Sequence, residues 1–115
     1  MPSVSLSTAD RVFGALTDGT RRSILDLLRE QEVMTAGEIA DRFPRISRPA
    51  VSKHLRVLRE AGLVQAEERG RENHYTLDAR PLADIQLGWL DRFAPHWERS
   101  LERLKGQAEK RRRQD

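Results

Sequence analysis

The sequence predicts a mainly α-helical fold carrying one small β-hairpin, on three observations. Up to residue 62, successive segments open on a helix-capping side chain and then repeat apolar residues at helical steps. Two short stretches flanking Arg69-Gly70-Arg71 read as paired strands with glycine at their turn. From Pro81 onward Leu82, Ile85, Trp89, Phe93, Trp97, Leu101, Leu104 and Ala108 follow one another at steps of three or four, the period of a single helical face.

Taken in order, Ser7 or Thr8 caps a first helix whose apolar residues are Val12, Phe13 and Leu16. Asp18-Gly19-Thr20 breaks it and caps a second, with Ile24, Leu25 and Leu28 inward. Thr35 and Glu38 form a capping box, in which the Thr oxygen takes the amide three residues on and Glu reaches back. The third helix so started buries Ile39, Ala40 and Phe43, and Pro44 stops it. Ser47 caps a fourth helix, in which Pro49 is tolerated because first-turn amides have no intrahelical partner, and Gly62 supplies the left-handed residue that ends it. Leu63–Glu68 and Asn73–Leu77 then pair as a hairpin, the wing, with Tyr75 and Leu77 on alternate positions. In the amphipathic segment that closes the chain, Pro95 predicts a kink or two helices meeting near Ala94, and Lys110–Asp115 is expected to fray.

At 115 residues the chain has room for one domain, 1–115, with a helix-turn-helix over 35–62, the wing over 63–78 and terminal helices over 80–109. Hydrophobic residues at 37% and charged residues at 34% describe a soluble globular protein leaning polar. The net charge of +3 points only weakly to a partner, but its distribution says more. Arg45, Arg48, Lys53, Arg56 and Arg59 lie in one interval without an Asp or Glu, which implies a local anion site. With no cysteine there is no disulfide, thiolate metal site or cysteine nucleophile, so the expected compartment is the cytoplasm. The start MPSVSLSTAD has no basic region followed by an apolar run, and no stretch approaches the roughly 20 apolar residues of a membrane span.

A capped helix, a short turn and a second capped helix over Thr35–Gly62 make a helix-turn-helix unit. At about 100° per residue, Val51, Leu55 and Leu58 fall on one side of the second helix. Arg48, Pro49, Ser52, Lys53 and Arg56 gather on the other, with three cations and no anion. Such a face suits a major groove. Arg48, Pro49, Ser52 and Lys53, near the N-terminus of the helix, are the candidates for reading base edges, where Arg pairs bidentately with guanine. Arg56, one turn on, meets phosphate, and His54 lies on the flank of the helix in a phosphate or packing role. Arg69 and Arg71 at the hairpin tip can clasp a neighbouring minor groove or backbone, with His74 assisting. Each feature alone has a plainer explanation: a cationic stripe is usually a solvated face, and Arg69-Gly70-Arg71 could be an ordinary turn. Their occurrence together favours DNA. Arg21-Arg22 is read as an ordinary helix start.

These residues carry a resemblance. SRPAVSKHLRVLREAGLV at Ser47–Val64, the preceding TAGEIADRF, the hairpin RGRENHYTLD and the early DGTRRSILDLL resemble the ArsR-type family of bacterial winged helix-turn-helix repressors over nearly the whole chain. One departure is Gly19, where many relatives have Pro, and it bears only on how the second helix begins. The resemblance implies a homodimer whose recognition helices enter successive major grooves of a palindromic double-stranded DNA operator, commonly to repress the protein's own operon. It also implies dimerisation through terminal helices, which matches the apolar stripe. The expected interface is Leu82, Ile85, Trp89, Leu90, Phe93, Trp97, Leu101 and Leu104, packed on the domain's own first helix, on a partner, or on both.

The metal sites of the best-known relatives are not carried over. They need cysteine thiolates beside the third helix, or carboxylates and histidines on the last helix. Here His96 has Asp91, Glu98 and Glu102 nearby in sequence but no second histidine at helical spacing. No metal and no cofactor are expected. Catalysis has no support either: there is no glycine-rich phosphate loop, no paired carboxylate in an apparent cleft and no Ser-His-Asp set, while the serines and threonines singled out serve as caps. Two alternatives to a DNA-binding repressor stay open at this point. One is a ligand- or metal-responsive sensor with its site at the dimer interface near Trp89 and His96, and the other is a winged-helix module that binds protein.

Overall fold

The computed structural model describes residues 7–114, so Asp115 and the first six residues of the N-terminal segment lie outside the described part. The chain divides into two compact units, one ending at Leu82 and the other beginning at Ala83.

The first unit opens with α1 (Thr8–Leu16) and α2 (Gly19–Gln31). Ser7 caps α1 by accepting the amide of Asp10, and Asp18 caps α2 by accepting that of Arg21, so short side chains satisfy amides that a helix start leaves orphaned. The buried residues of α1 are Val12 and Ala15, whereas Phe13 is exposed. The expected inner face is thus rotated: Val12 and Ala15 are three apart and share a face, and Phe13 lies about 100° from Val12. Ile24, Leu25 and Leu28 of α2 are buried as their spacing requires.

A strand the sequence reading did not anticipate, β1 (Val33–Thr35), follows. Glu32 reaches it through a backbone φ of 68°, a left-handed conformation unusual for a residue with a Cβ. Helix α3 (Ala36–Asp41) is capped by Thr35, whose oxygen accepts the Glu38 amide at 3.2 Å. The Glu38 carboxylate accepts a hydrogen bond from the Thr35 hydroxyl at 3.1 Å, so the box closes through the side chain of Thr35. The helix buries Ile39 and Ala40 and ends before Phe43, which is half-buried in the turn.

Helix α4 (Arg48–Glu60) starts at Ser47, whose hydroxyl accepts the Ala50 amide at 3.2 Å, with Pro49 in the first turn. Its end is a Schellman motif. Gly62, at φ 78°, donates to Arg59, and Leu63 donates to the Leu58 carbonyl. Strands β2 (Val64–Arg69) and β3 (Glu72–Leu77) form the hairpin. Arg69 pairs with Glu72 across a two-residue turn, and φ is positive at Gly70 but not at Arg71, as in a type II′ turn. The sheet has three antiparallel strands in the order β1-β3-β2, with Met34 opposite Tyr75 and Thr35 opposite His74. The core between these elements comprises Val12, Ile24, Leu28, Met34, Ile39, Val51, Leu55, Leu58, Leu63 and Val64, and no polar residue is buried among the described residues.

Helix α5 (Arg80–Gly88) begins in the first unit, where Asp78 anchors it. The Asp78 carboxylate accepts from the Arg80 amide at 3.1 Å, from the Arg80 guanidinium at 2.6 Å and from the Gln65 amide at 3.1 Å. These donors, Arg80 first, hold the Asp78 carboxyl well below its ordinary 3.8.

In the second unit a 3-10 turn (Leu90–Phe93) separates α5 from α6 (Ala94–Gln114). Two helices therefore meet near Ala94, and Pro95 occupies the first turn of the second, where it is tolerated. The break begins at Gly88, so Leu82 and Ile85 sit on a different helix from Trp97, Leu101 and Leu104, and no single helical face joins them. Contrary to the frayed end expected, α6 continues to Gln114, with Arg111, Arg112 and Arg113 in the last turn, where cations complement the helix dipole.

Asp78→Ala is expected to lower stability by about 1 kcal/mol in urea unfolding at neutral pH. The folded-state carboxyl titrates below its unfolded value, so the contribution is full above the ordinary carboxylate range and fades as pH falls through it. The gap between variant and parent should therefore close as the solution is acidified below about pH 4.

Candidate nucleic-acid interface

Helix α4 is oriented by what it buries. Val51, Leu55 and Leu58 are buried, and this stripe fixes the rotation of the helix against the body of the first unit. On the opposite side Arg48, Pro49, Ser52, Lys53 and Arg56 are exposed, as the pattern requires. Lys53 and Arg56 have no hydrogen bond or ion pair among the described residues. The preceding turn holds the start of the helix in place: Phe43 donates its amide to Ala40 and Ile46 donates to Phe43, with both side chains half-buried.

Arg48 differs from the other two cations. Its Nη2 lies 3.1 Å from Oδ1 of Asp41, the last residue of α3. The sequence reading missed this carboxylate, because it comes from the neighbouring helix and only the crossing of α3 and α4 brings it there. His54 is half-buried, and its Nδ1 lies 3.3 Å from Nη1 of Arg21. A guanidinium only donates, so Nδ1 is the acceptor in this contact.

Arg21 does more than start a helix, though its role is structural as expected. Its Nε donates to the Ala15 carbonyl at 2.7 Å and its Nη2 to that of Gly14 at 3.1 Å, while Arg22 donates to the Leu16 carbonyl. The carbonyls at the end of α1 are thereby satisfied, and one side chain links α1, α2 and α4. The Asp18 carboxyl beside it is lowered, chiefly by the hydrogen bond it accepts from the Arg21 amide.

At the hairpin tip Arg69 and Arg71 are exposed, and Arg69 pairs with Glu67 at 3.2 Å. His74 lies further back on the central strand, mostly covered and 3.9 Å from the Glu72 carboxylate. Among the described residues no group of three or more His, Cys, Asp or Glu is placed to hold a metal ion, and no helix is long and apolar enough to cross a membrane.

A helix about 10–12 Å across, held by one face and cationic on the other, matches the roughly 12 Å major groove of B-DNA. With the hairpin following it, this is the winged helix-turn-helix class of DNA-binding proteins. Residues 16–65 match a family described as a helix-turn-helix domain. The chain is 40% identical over 84 residues to the transcriptional repressor SdpR of Bacillus subtilis, covering 73% of this chain and 90% of that one. It is 45% identical over 92 residues to the HTH-type transcriptional regulator Rv2034 of Mycobacterium tuberculosis, covering 80% of each. Among solved structures, an ArsR-like transcriptional regulator from Rhodococcus sp. RHA1 is similar at a TM-score of 0.66 and 35% identity, over 86% of this chain and 91% of that one. The chain belongs to the ArsR-type family of winged helix-turn-helix transcription regulators, which are DNA-binding proteins and not enzymes.

Replacing Arg21 by Ala removes donors to two backbone carbonyls and to His54, and is expected to reduce stability by about 1–3 kcal/mol. Urea unfolding reads this as a lower midpoint at unchanged slope.

Proposed function

We propose that the chain is a homodimeric, sequence-specific repressor that places α4 of each protomer in successive major grooves of a palindromic operator, at its own or a neighbouring operon. The observation that carries this reading is the division of α4 into a buried apolar stripe and an exposed cationic face. Arg48, Pro49, Ser52 and Lys53 stand nearest the N-terminus of the helix and read bases, whereas Arg56 meets phosphate. Arg69 and Arg71 at the tip of the wing contact the flanking backbone or minor groove. His74, set back in the sheet, supports the hairpin more than it touches DNA, and His54, tied to Arg21, positions the helix.

The second unit supports the dimer. Trp89, Phe93 and Trp97 are 46%, 44% and 41% exposed, and Leu101 and Leu104 are 61% and 62% exposed. This is more apolar surface than a helix leaves in water without a partner. Trp89 and Phe93 meet edge to face, with ring centroids 5.1 Å apart, an arrangement aromatic pairs favour. Leu90 is exposed and Leu82 half-buried, but Ile85 is already buried within the chain and offers a partner little. Small size, absence of cysteine and a nucleic-acid target fit a cytoplasmic protein of one functional domain, with residues 80–109 as its dimerisation helices.

The Arg48→Ala, Lys53→Ala double variant is expected to lose about 2–4 kcal/mol of operator affinity together with its selectivity. Unchanged binding in a gel-shift titration would remove this face from consideration. Trp97→Glu should convert the dimer to a folded monomer in analytical ultracentrifugation, and a variant that stays dimeric would place the interface elsewhere.

A further inference from the structure

Helix α6 outlasts its apolar stripe. Leu104 is the last large apolar residue of the chain, yet the helix runs on to Gln114, about 15 Å further. Ala108 is the only apolar side chain on that stretch, so this end of the helix has no face to bury against the rest of the chain or against a second copy. What it carries instead is Lys110, Arg111, Arg112 and Arg113 in succession, all exposed and none with a hydrogen bond or ion pair among the described residues. At about 100° per residue the four cover roughly 300° of the helix circumference, a positive collar and not one solvated face of an amphipathic helix. The helix dipole favours a cation in the last turn, but it gives no reason for cations on every side. Lys110 and Arg113, three apart, repel each other, and no carboxylate among the described residues pairs with either. The net charge of the chain is +3, less than the charge of these four residues, so the remainder of the molecule is net negative.

We propose that residues 110–113 form a second nucleic-acid contact, separate from α4, that binds the phosphates of duplex DNA without regard to sequence. The inference rests on the reading of the chain as a DNA-binding protein. Four cations within about one turn lie inside a single Debye length of about 10 Å at 0.1 M salt and act on a distant polyanion together. DNA can meet such a collar from any side and releases condensed counterions as each cation approaches, whereas reading bases would require one defined face. The same pattern argues against a lipid surface: a helix lying in a membrane interface sets bulky apolar residues opposite its cations, and after Leu104 there are none. Because the rest of the chain is net negative, this end supplies much of the long-range attraction to DNA, and α4 supplies the choice among sites.

The experiment titrates the full chain by fluorescence anisotropy, over a range of salt concentrations, against two labelled duplexes, one carrying a site selected from random-sequence DNA and one a shuffled version of it. Arg111→Gln, Arg112→Gln and Arg113→Gln together keep helix propensity and remove only exposed side chains. This variant should bind both duplexes more weakly by the same factor, about tenfold or more at 0.1 M salt, and its plot of log Kd against log salt should be shallower by about two or more. The ratio of the two affinities should stay that of the parent. Lys at the same three positions should restore affinity and slope, since a contact made by charge alone does not need the guanidinium fork. Arg11→Gln, Arg29→Gln and Arg92→Gln together remove the same charge from exposed positions on α1, α2 and the 3-10 turn, and should leave the slope within about one of the parent's. An unchanged slope in the Gln variant of α6, or an equal loss in the control, overturns the inference and leaves the role of α4 intact. An unchanged DNA slope with loss of binding to vesicles of phosphatidylserine and phosphatidylcholine also overturns it, and assigns the collar to a lipid surface. If the parent shows no preference for the selected duplex, the sequence-specific reading of α4 has failed, whereas the salt slope still decides the role of residues 110–113.

Discussion

The burial of one stripe on one helix is the constraint on which the rest depends. Val51, Leu55 and Leu58 are all but inaccessible to solvent, and each contributes about 1.5–3 kcal/mol through the apolar surface it removes from water. Turning α4 by a fraction of a revolution would expose those side chains, so its rotation is fixed. Arg48, Ser52, Lys53 and Arg56 then face solvent as a geometric consequence. The ends of the helix are set with equal definition by the Ser47 cap at one terminus and by Gly62 with Leu63 at the other, so its register cannot slip.

Around that helix the structure supplies orientation through polar contacts at its margins, since its core holds no buried polar side chain among the described residues. Arg21 gathers the end of α1 and the flank of α4 into one network. Asp78 ties Gln65 on the wing to the first turn of α5, and β1 lies along the free edge of β3, so the hairpin is the outer part of a three-stranded sheet and does not stand alone. A two-stranded hairpin is marginal in water, and the third strand gives the base of the wing a fixed platform. DNA recognition of this kind needs such rigidity: a reading side chain must reach its base edge without ordering a loop first.

Much of this was legible because it is written locally. Ser7, Asp18, Thr35 and Ser47 all cap the helices they were expected to cap, since a short oxygen-bearing side chain and an orphan amide three residues on need nothing from the rest of the chain. Gly62 and Gly70 adopt the left-handed conformations their positions demanded. The features that escaped are non-local. Val33–Thr35 is too short to announce a strand and sits between two helix signals; it pairs only because β3 presents an open edge opposite Met34. Phe13 looked like a core residue on hydrophobicity alone, yet the neighbours of α1 cover Ala15 instead. The terminal apolar repeat ran unbroken through Gly88, where the helix nevertheless ends.

Taken by itself, the sequence determined the order and kind of the elements, the caps that bound them, the face of α4 that had to be buried and the cations left on the other side. Each follows from side-chain period and from hydrogen bonds spanning a few residues. Tertiary structure alone decided which of those cations is paired. Asp41 and Arg48 are seven residues apart on different helices, and Arg21 and His54 are thirty-three apart. No periodicity links either pair, because a contact between two elements depends on the angle at which they cross, which the packing of the whole core sets.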